Sequence, residues 1–202
     1  MIKNIVFDLG GVLIDWNPEY VFLKEFRGDR EKMNWFFNTI CTSSWNEEQD
    51  AGYSIEKATN ERVAMFPKHE RLIRMYYGKW EQMLGFEHTE TVEILRRLHD
   101  SKEHSIYSLT NWSNETFPVA LKKFPFLSWF KGILVSGDVG LKKPDPEIYK
   151  LLLDRYGLEE NTCVFIDDRT ENVKAASALG FSGIVFKNHT QLSKDLKKLN
   201  II

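Results

Sequence analysis

The sequence predicts an α/β fold, with a parallel Rossmann-like sheet covered by helices on both faces and an α-helical cap inserted after the first strand. Three observations lead to this prediction. A buried strand opens the chain, a long helical stretch follows it, and strands then alternate with helices to the end. Alternation of that kind is typical of βαβ units, which build parallel sheets with helices on both faces.

The first predicted strand is the apolar run at residues 2–7, which is rich in β-branched and aromatic residues. Asp8 follows it directly and precedes Leu-Gly-Gly, so a carboxylate stands where the strand passes into a loop. An aspartate before two glycines is by itself most often a turn residue. Whether Asp8 has a role beyond the turn therefore depends on which other side chains lie close to it.

Between about residues 20 and 98 the chain consists of charged and aromatic segments with helical periodicity and no convincing strand. Because strand-like segments flank this stretch, we expect an insertion in which residues 16–89 form the helical cap and residues 1–15 and 90–202 form the core domain. Aromatic residues at helical spacing usually pack inward. Those expected in the core of the cap are Trp35, Phe36, Phe37, Tyr76, Tyr77 and Trp80.

The second half of the chain supplies the remaining elements. Strands are predicted at SIYSLTN, GILVS, CVFIDD and GIVFKN. Helices are predicted in a segment that ends near Lys123, at PEIYKLLLDRYG and at ENVKAASALG. The tail carries Leu192, Leu196 and Leu199 at helical spacing, which predicts a final helix that covers an edge of the sheet.

Composition and charge narrow the possible functions. Contents of 43% hydrophobic and 28% charged residues are typical of a soluble enzyme, and a net charge of −2 gives no attraction for nucleic acid or an anionic membrane. Cys41 and Cys163 lie far apart without CxxC spacing, which disfavours a disulfide framework or a thiolate zinc site. No apolar run approaches the roughly 18 residues of a membrane span. We therefore expect a cytoplasmic protein, a monomer or weak homodimer, that acts on a small molecule.

Polar side chains follow most of the predicted strands at their carboxyl ends, which is where ligands bind in open parallel sheets. Carboxylate oxygens suit Mg²⁺, a lysine neutralises phosphate oxygens, and an aspartate beside a metal can act as a nucleophile. The sequence therefore predicts a site for a divalent cation and a phosphoryl group. The residues expected to meet there are Asp8, Thr110, Asn111, Lys143, Asp167 and Asp168.

The segments that carry these residues resemble the four motifs of the haloacid dehalogenase-like (HAD) hydrolase superfamily. They are FDLGGVLID, SLTN, GLKKPDPEIY and VFIDDRTENVKAA, and the resemblance extends over essentially the whole chain. It is similar in particular to members with a helical cap after the first strand. Most members are Mg²⁺-dependent phosphatases, so the resemblance implies a hydrolase that acts on a small phosphorylated metabolite.

The resemblance also implies a role for each motif residue. Asp8 would attack phosphorus and form an aspartyl-phosphate, which water then hydrolyses. Thr110, the Asn111 backbone N–H and Lys143 would hold the phosphate oxygens and stabilise the transition state. Lys142 is a rival for the lysine, and Lys143 is preferred because it directly precedes a proline, as in the family pattern.

The same resemblance implies Mg²⁺ as the cofactor. Its ligands would be Asp8, the backbone carbonyl of Gly10 and Asp168. Asp167 would be a further ligand or a hydrogen-bond acceptor that orients the others. The ion would cancel the repulsion between the carboxylates and the phosphate.

One position departs from the family pattern. Most family phosphatases carry a second aspartate two residues after the nucleophile as general acid and base, whereas this chain has Gly10. A general acid typically contributes about 10²- to 10⁴-fold to the rate. The substrate could have a good leaving group, as in a sugar 1-phosphate, and a branch similar to glucose-1-phosphate phosphatases also carries glycine here. Alternatively Asp15 could lend the proton, or the reaction is not phosphoryl transfer.

Two other functions fit the same fold. The dehalogenases that named the family also lack the second aspartate, use their nucleophile on carbon and need no metal. They generally lack an acidic pair such as Asp167 and Asp168, and adjacent acids facing Asp8 would repel without a cation. The pair therefore favours a phosphatase over a 2-haloacid dehalogenase. A non-catalytic binding or regulatory protein is the remaining alternative, and the intact Asp8 and Lys143 disfavour it.

Candidate substrate-contacting residues flank the expected site or its entrance. Asp15 stands at the start of the cap, and Trp112 follows Thr110 and Asn111. Trp16 and Trp45 are further candidates for the pocket. These side chains are therefore the candidates for the lining of the substrate pocket.

Overall fold

The computed structural model describes residues 1–202, and its first half begins with two strands, continues through six α-helices and ends with a third strand. In chain order the elements are β1 (Asn4–Phe7), β2 (Ile14–Trp16), α1 (Glu19–Glu25), α2 (Arg30–Thr39), α3 (Ser43–Asp50), α4 (Ile55–Met65), α5 (Glu70–Gly78), α6 (Trp80–Met83) and β3 (Leu84–Glu87).

The second half alternates helices with strands. Its elements are α7 (Thr89–Ser101), β4 (Ser105–Thr110), α8 (Phe117–Lys123), β5 (Gly132–Val135), α9 (Ser136–Val139), α10 (Pro146–Tyr156), β6 (Cys163–Asp167), α11 (Thr170–Ala178), β7 (Ser182–Val185) and α12 (His189–Lys198). Five strands form one sheet in the order β5-β4-β1-β6-β7, and every neighbouring pair is parallel. The predicted α/β class with a parallel sheet is confirmed.

Strand β1 occupies the centre of the sheet. It pairs with β4 on one side and β6 on the other, and all four of its residues are buried. The apolar run of the sequence reflects this burial on both faces. Because Asp8 follows β1, its carboxylate lies at the middle of the carboxyl edge, between the ends of two other strands.

Helices cover both faces of the sheet. On one face, α7 and α12 pack beside each other, and Leu95, Leu192 and Leu196 are fully buried there. On the opposite face, α10 and α11 bury Leu152 and Ala176 against the sheet. The apolar spacing in these helices matches the buried faces, as the sequence predicts.

The pair formed by β2 and β3 corrects the sequence analysis, which placed no strand between residues 20 and 98. These two strands form a separate antiparallel ribbon, in which Ile14 faces Glu87 and Trp16 faces Leu84. The segment LGFE is too short to show a strand pattern, and its partner lies far away in the sequence. Since strand propensity depends on the cross-strand neighbours, local residues could not reveal this pairing.

The helices between β2 and β3 share an aromatic core. Phe22 stacks on Phe36 at a ring-centroid distance of 5.3 Å and meets Phe37 edge-on at 5.1 Å. Tyr76 is buried among the same rings, as predicted. Trp35 is the exception, since 49% of it is exposed, so its predicted place in this core is wrong. The opposite face of α2 is the one that packs inward.

The helix that borders the site on this side, α3, has a defined start. Thr42 caps it, since its hydroxyl accepts a hydrogen bond of 3.2 Å from the Trp45 backbone N–H. On the other side of the site, Asp145 caps α10 through the Glu147 N–H at 2.9 Å. Such caps satisfy backbone donors that a helix leaves unpaired at its first turn. None of the helices is long and apolar enough to cross a membrane.

Candidate active site

The predicted site residues lie at the carboxyl edge of the sheet. Asp8 follows β1, Thr110 ends β4, and Asp167 ends β6 with Asp168 next to it. Because β4 and β6 flank β1, these three strand ends are adjacent. Lys143 reaches the same edge from the loop between α9 and α10. The structure therefore brings together side chains that are up to 160 positions apart in the sequence.

Three carboxylates form a compact cluster. Asp8, Asp167 and Asp168 each offer an oxygen, and these oxygens all lie within 4.8 Å of one another. Asp8 and Asp167 are buried, whereas Asp168 is exposed. Burial raises the pKa of Asp8 to about 7, with Lys143 acting to lower it and Asp167 to raise it. Burial and Asp167 also raise the pKa of Asp168.

Lys143 is the cation at the centre of this cluster. Its Nζ lies 2.9 Å from Asp8 Oδ1, 2.7 Å from Asp167 Oδ2 and 2.8 Å from the Leu109 carbonyl oxygen. Three acceptors match the three N–H groups of an ammonium. Burial opposes the charge, but the two carboxylates raise the pKa of Lys143 above its usual value. The lysine is therefore charged and fixed in position.

Lys142, the alternative to Lys143, lies outside the carboxylate cluster. Lys142 pairs with Glu47 of α3 at 2.9 Å and is partly exposed. Its only ion pair is with that helix, so it does not touch the carboxylate cluster. Between the two neighbouring lysines, Lys143 is the one that the structure places in the site.

The cluster carries more negative than positive charge, and some of its oxygens have no partner. Asp167 already accepts from Lys143, from the Arg169 N–H at 2.8 Å and from Asn172 Nδ2 at 3.0 and 3.1 Å. By contrast, Asp8 has partners only at Oδ1, which pairs with Lys143 Nζ and accepts a hydrogen bond of 2.7 Å from the Leu9 backbone N–H. Hard oxygens that remain free next to a carboxylate excess suit a divalent cation.

The free oxygens lie beside the Gly10–Gly11 turn. Asp168 makes no hydrogen bond through its side chain, and the Gly10 carbonyl accepts none. A Cβ atom built on Gly11, where φ is +73°, would lie 2.7 Å from Asp168 Oδ2. Only glycine leaves room for that carboxylate. The Asp8 carboxylate, the Gly10 carbonyl and Asp168 could therefore hold a cation, with Asp167 held in place by its own donors.

Thr110 and Asn111 offer groups for an anion. The Thr110 hydroxyl is buried and has no hydrogen-bond partner. An unpaired buried hydroxyl is costly, and a ligand oxygen at this edge of the sheet would remove that cost by accepting its hydrogen bond. The Asn111 side chain bonds to the Lys143 backbone through two hydrogen bonds of 2.8 and 2.9 Å, and its own backbone N–H makes no bond within the protein. Asn111 thus positions Lys143 and leaves its N–H free.

A pocket of about 130 Å³ opens next to these groups. Three indole rings form much of its wall, and the helical insertion supplies part of the rest. Of the expected contacts, Trp16 and Trp112 line the pocket, whereas Trp45 packs against Tyr76 and Tyr77 instead. The lining residues are Gly10, Trp16, Asn46, Asp50, Trp80, Asn111 and Trp112.

Asp15 does not reach the pocket. Its Oδ2 accepts a hydrogen bond of 2.5 Å from the Tyr20 hydroxyl, and the carboxylate packs over Gly85 of the neighbouring strand. Trp16 follows Asp15 in β2, and successive side chains of a strand point to opposite faces. Since Trp16 lines the pocket, Asp15 faces away from it.

Asp50 and Asn46 line the pocket from α3, and the sequence analysis missed both. The helix sequence SSWNEEQD contains several acids and reads as a solvated face, so nothing local distinguishes Asp50 from Glu47 or Glu48. Asp50 is the one acidic side chain in the pocket wall. Only the packing of α3 against the edge of the five-stranded sheet reveals it.

Polar contacts hold α3 against the edge of the sheet. Glu47 pairs with Lys142 at 2.9 Å and with Arg169 at 3.4 Å. The Ser136 hydroxyl donates to the Asp50 carbonyl oxygen. The close approach continues at Gly52, where a Cβ atom would meet a backbone carbonyl at 2.9 Å. The end of α3 is therefore seated directly on the loops that surround the site.

Comparison with known proteins identifies relatives along most of the chain. A family model described as haloacid dehalogenase-like hydrolase matches residues 2–180. Flavin mononucleotide hydrolase 1 of Arabidopsis thaliana is 35% identical over 120 residues, which cover 58% of this chain and 47% of that protein, so this chain spans less than half of its length. A sesquiterpene phosphatase of Aspergillus oryzae is 26% identical over 201 residues, which cover 98% and 96% of the two chains.

A solved structure shares the fold at low sequence identity. An enzyme of Bacteroides thetaiotaomicron in complex with magnesium and inorganic phosphate superposes with a TM-score of 0.71 at 22% identity. The match covers 93% of this chain and 95% of that one. This likeness shows that the arrangement of sheet and helices is common to both proteins.

Proposed function

The chain belongs to the haloacid dehalogenase-like hydrolases, and from that premise we propose that it is a Mg²⁺-dependent phosphatase acting on a small phosphorylated metabolite. The observation that carries this proposal is the way in which the Asp8 carboxylate is held by its hydrogen bonds. One of its oxygens is fixed by the Leu9 N–H and Lys143, and the other is free beside two further carboxylates. A carboxylate that is held in this way is oriented for attack on an electrophile.

The chemical steps follow from the free oxygen of Asp8. It attacks phosphorus, the bond from phosphorus to the leaving oxygen breaks, and the phosphoryl group is now carried by Asp8 as an acyl phosphate. Water then attacks phosphorus, which releases inorganic phosphate and restores the carboxylate. The Thr110 hydroxyl, the Asn111 backbone N–H and Lys143 bind the phosphate oxygens, whose charge is spread over the transition state.

The three carboxylates are suited to Mg²⁺. Asp8, the Gly10 carbonyl and Asp168 would hold the ion, and Asp167 would orient Lys143 and the neighbouring backbone. When bound, the metal neutralises the charge that otherwise keeps an anionic phosphate from an anionic nucleophile. Lys143 alone leaves the cluster negative, because it faces three carboxylates.

The helical insertion acts as a cap in this proposal. Residues 16–89 would form the cap domain and the remainder the core domain, as the sequence analysis divides them. Trp80, Asn46 and Asp50 come from the insertion and line the pocket together with Gly10 and Asn111 from the sheet side. Closure of such a cap excludes bulk water from the phosphoryl enzyme and sets specificity.

The pocket favours a compact leaving group such as a sugar, which is compatible with a sugar 1-phosphate as the substrate. Its volume of about 130 Å³ is below the roughly 300–1,000 Å³ of typical ligand pockets. Indole faces and the side chains of Asn46 and Asp50 offer both stacking surfaces and hydrogen bonds. The names of the relatives include a flavin nucleotide, a sesquiterpene and, in Salmonella, phosphoglycolate. Such different substrates do not select one for this chain.

A panel of phosphate esters tests the proposed function. Phosphate release is measured for sugar phosphates, other small metabolites and 4-nitrophenyl phosphate, with Mg²⁺ and with EDTA. We expect release with Mg²⁺, its loss in EDTA and recovery when Mg²⁺ is restored. Halide release from 2-haloacids is measured in parallel. Halide release without any phosphate release would replace the phosphatase by the metal-independent dehalogenase.

A further inference from the structure

We propose that Asp50, a carboxylic acid carried by the helical insertion, protonates the departing oxygen and thereby supplies the acid that Gly10 lacks. This inference rests on the proposed phosphatase function and adds a catalytic residue to it. The motif segments of the sequence do not include Asp50.

The position of Asp50 fits the geometry of the reaction. In an in-line displacement the leaving oxygen lies on the far side of phosphorus from the nucleophile. Gly10 and Asn111 line the pocket next to Asp8, and Asp50 lines the same pocket from the insertion. Asp15 is turned away toward Tyr20. Asp50 is therefore the one carboxylic acid that borders the space available to the leaving group.

The backbone and side chain of Asp50 are both held in place. Asp50 Oδ2 accepts a hydrogen bond of 2.9 Å from Asn46 Nδ2, and the Ser136 hydroxyl donates to the Asp50 carbonyl oxygen. No lysine or arginine forms an ion pair with this carboxylate, although Glu47 of the same helix has two such pairs. A fixed acid without a cationic partner is suited to exchange a proton with a substrate rather than to hold a salt bridge.

The surroundings keep a proton on Asp50 near neutral pH. Burial raises the pKa of its carboxyl to about 7, the Ser113 backbone N–H and Lys142 act to lower it, and Glu47 acts to raise it. On the packed elements, Tyr76 and Tyr77 of α5 have raised pKa values and remain neutral, and Asp138 of α9 is exposed. An acid with a pKa near the working pH can both donate and recover a proton.

The proton balance closes over one cycle. As the bond from phosphorus to the leaving oxygen breaks, the Asp50 proton passes to that oxygen and gives a neutral alcohol. Asp50 is then a carboxylate. In the second step it accepts a proton from the water that attacks phosphorus on Asp8, so that free phosphate is released and the acid is restored.

Leaving-group dependence tests the role of Asp50. We compare kcat/KM of wild type and Asp50→Asn for an alkyl phosphate and for 4-nitrophenyl phosphate, whose leaving group needs little protonation. The loss on the alkyl ester is expected to be about 10²-fold or more and at least ten times the loss on the aryl ester. Glu48 is an exposed carboxylate on the same helix, so Glu48→Gln controls for the change of charge. It should change kcat/KM for neither ester. Equal losses on the two esters would overturn the proposal.

Gly10→Asp supplies a second and independent test. A Cβ atom at Gly10 meets no atom within 4 Å, so the site can accept a side chain there. We expect Gly10→Asp to restore alkyl phosphate turnover to Asp50→Asn, whereas Gly10→Asn should not. Failure of Gly10→Asp to restore this turnover, or equal rescue by Gly10→Asn, with the aryl ester still hydrolysed, would count against Asp50 and leave the phosphatase standing. Absence of phosphate release from every ester in the wild type would instead remove the proposed function and this inference with it.

Discussion

Lys143 and Asp167 form an ion pair of 2.7 Å in which the two side chains are 1% and 0% exposed to solvent. Asp8 is the second partner of the same ammonium, at 2.9 Å. A buried pair is weak evidence for stability, but removal of one partner leaves an uncompensated charge. Lys143 therefore links the stability of the fold to the orientation of the proposed nucleophile.

Replacement of this lysine is expected to destabilise the protein. Lys143→Met keeps the length of the side chain but leaves Asp8 and Asp167 without their cation, so the free energy of unfolding should fall by about 3–5 kcal/mol at pH 7. Urea denaturation measures this value. Lys142→Met is the matched control, because its partly exposed pair with Glu47 contributes at most about 1 kcal/mol. Similar losses in the two variants would contradict the account.

The unpaired hydroxyl of Thr110 predicts opposite effects on stability and activity. Thr110→Val removes a buried polar group that has no partner, so stability should stay equal or rise by about 1 kcal/mol. Phosphate ester turnover, measured as kcat/KM, should fall by about 10- to 100-fold. Ser108→Ala is the control, since Ser108 has an equally unpaired hydroxyl earlier in β4. Unchanged turnover in Thr110→Val would remove this hydroxyl from the site.

The contact between Gly11 and Asp168 predicts a specific loss of metal binding. Gly11→Ala introduces a methyl group 2.7 Å from Asp168 Oδ2 and also strains a residue with φ of +73°. Gly28→Ala has similar strain, with φ of +83°, but no atom within 4 Å. Both should lose roughly 1 kcal/mol of stability. Only Gly11→Ala should weaken Mg²⁺ binding, by about 10-fold or more in a calorimetric titration. Equal Mg²⁺ affinities would contradict this.

The raised pKa of Asp50 predicts a pH-dependent difference in stability. In the folded chain this carboxyl keeps its proton up to about pH 7, whereas its ordinary value is 3.8. The contribution of this carboxyl to the free energy of unfolding is therefore fully present below about pH 4. It is lost as the pH rises from about 4 through about 7. Relative to wild type, Asp50→Asn should gain on the order of 4 kcal/mol in free energy of unfolding between pH 4 and pH 8. Denaturation at the two pH values measures the gain, and a difference independent of pH would be the contrary result.

The sequence predicted the parts of the site that lie on strand ends. Asp8, Thr110 and Asp167 each stand where an apolar run stops, and parallel pairing brings such ends together. Lys143 required the resemblance to the family, because Lys142 has the same chemistry and a neighbouring position. The structure separates them, since one lysine is buried among carboxylates and the other pairs with Glu47.

The parts that were missed depend on contacts between distant segments. The pairing of β2 with β3 joins residues about 70 positions apart, so neither strand has a local signal. Asp50 lies among other acids of α3 and differs from them only once this helix packs against the edge of the sheet. Asp15 lies outside the pocket because alternation in β2 directs Trp16, not Asp15, toward it. Tertiary packing decides each of these cases.

The most direct test of the central claim is to find the phosphoryl group on Asp8. The wild-type protein is mixed with Mg²⁺ and a phosphate ester that it hydrolyses. The reaction is quenched in acid during turnover, and the protein is then digested and analysed by mass spectrometry. The account predicts a phosphorylated peptide with the modification at Asp8, and neither this peptide nor phosphate release in Asp8→Asn. Steady phosphate release by Asp8→Asn, or by wild type with the phosphoryl group on another residue, would contradict it.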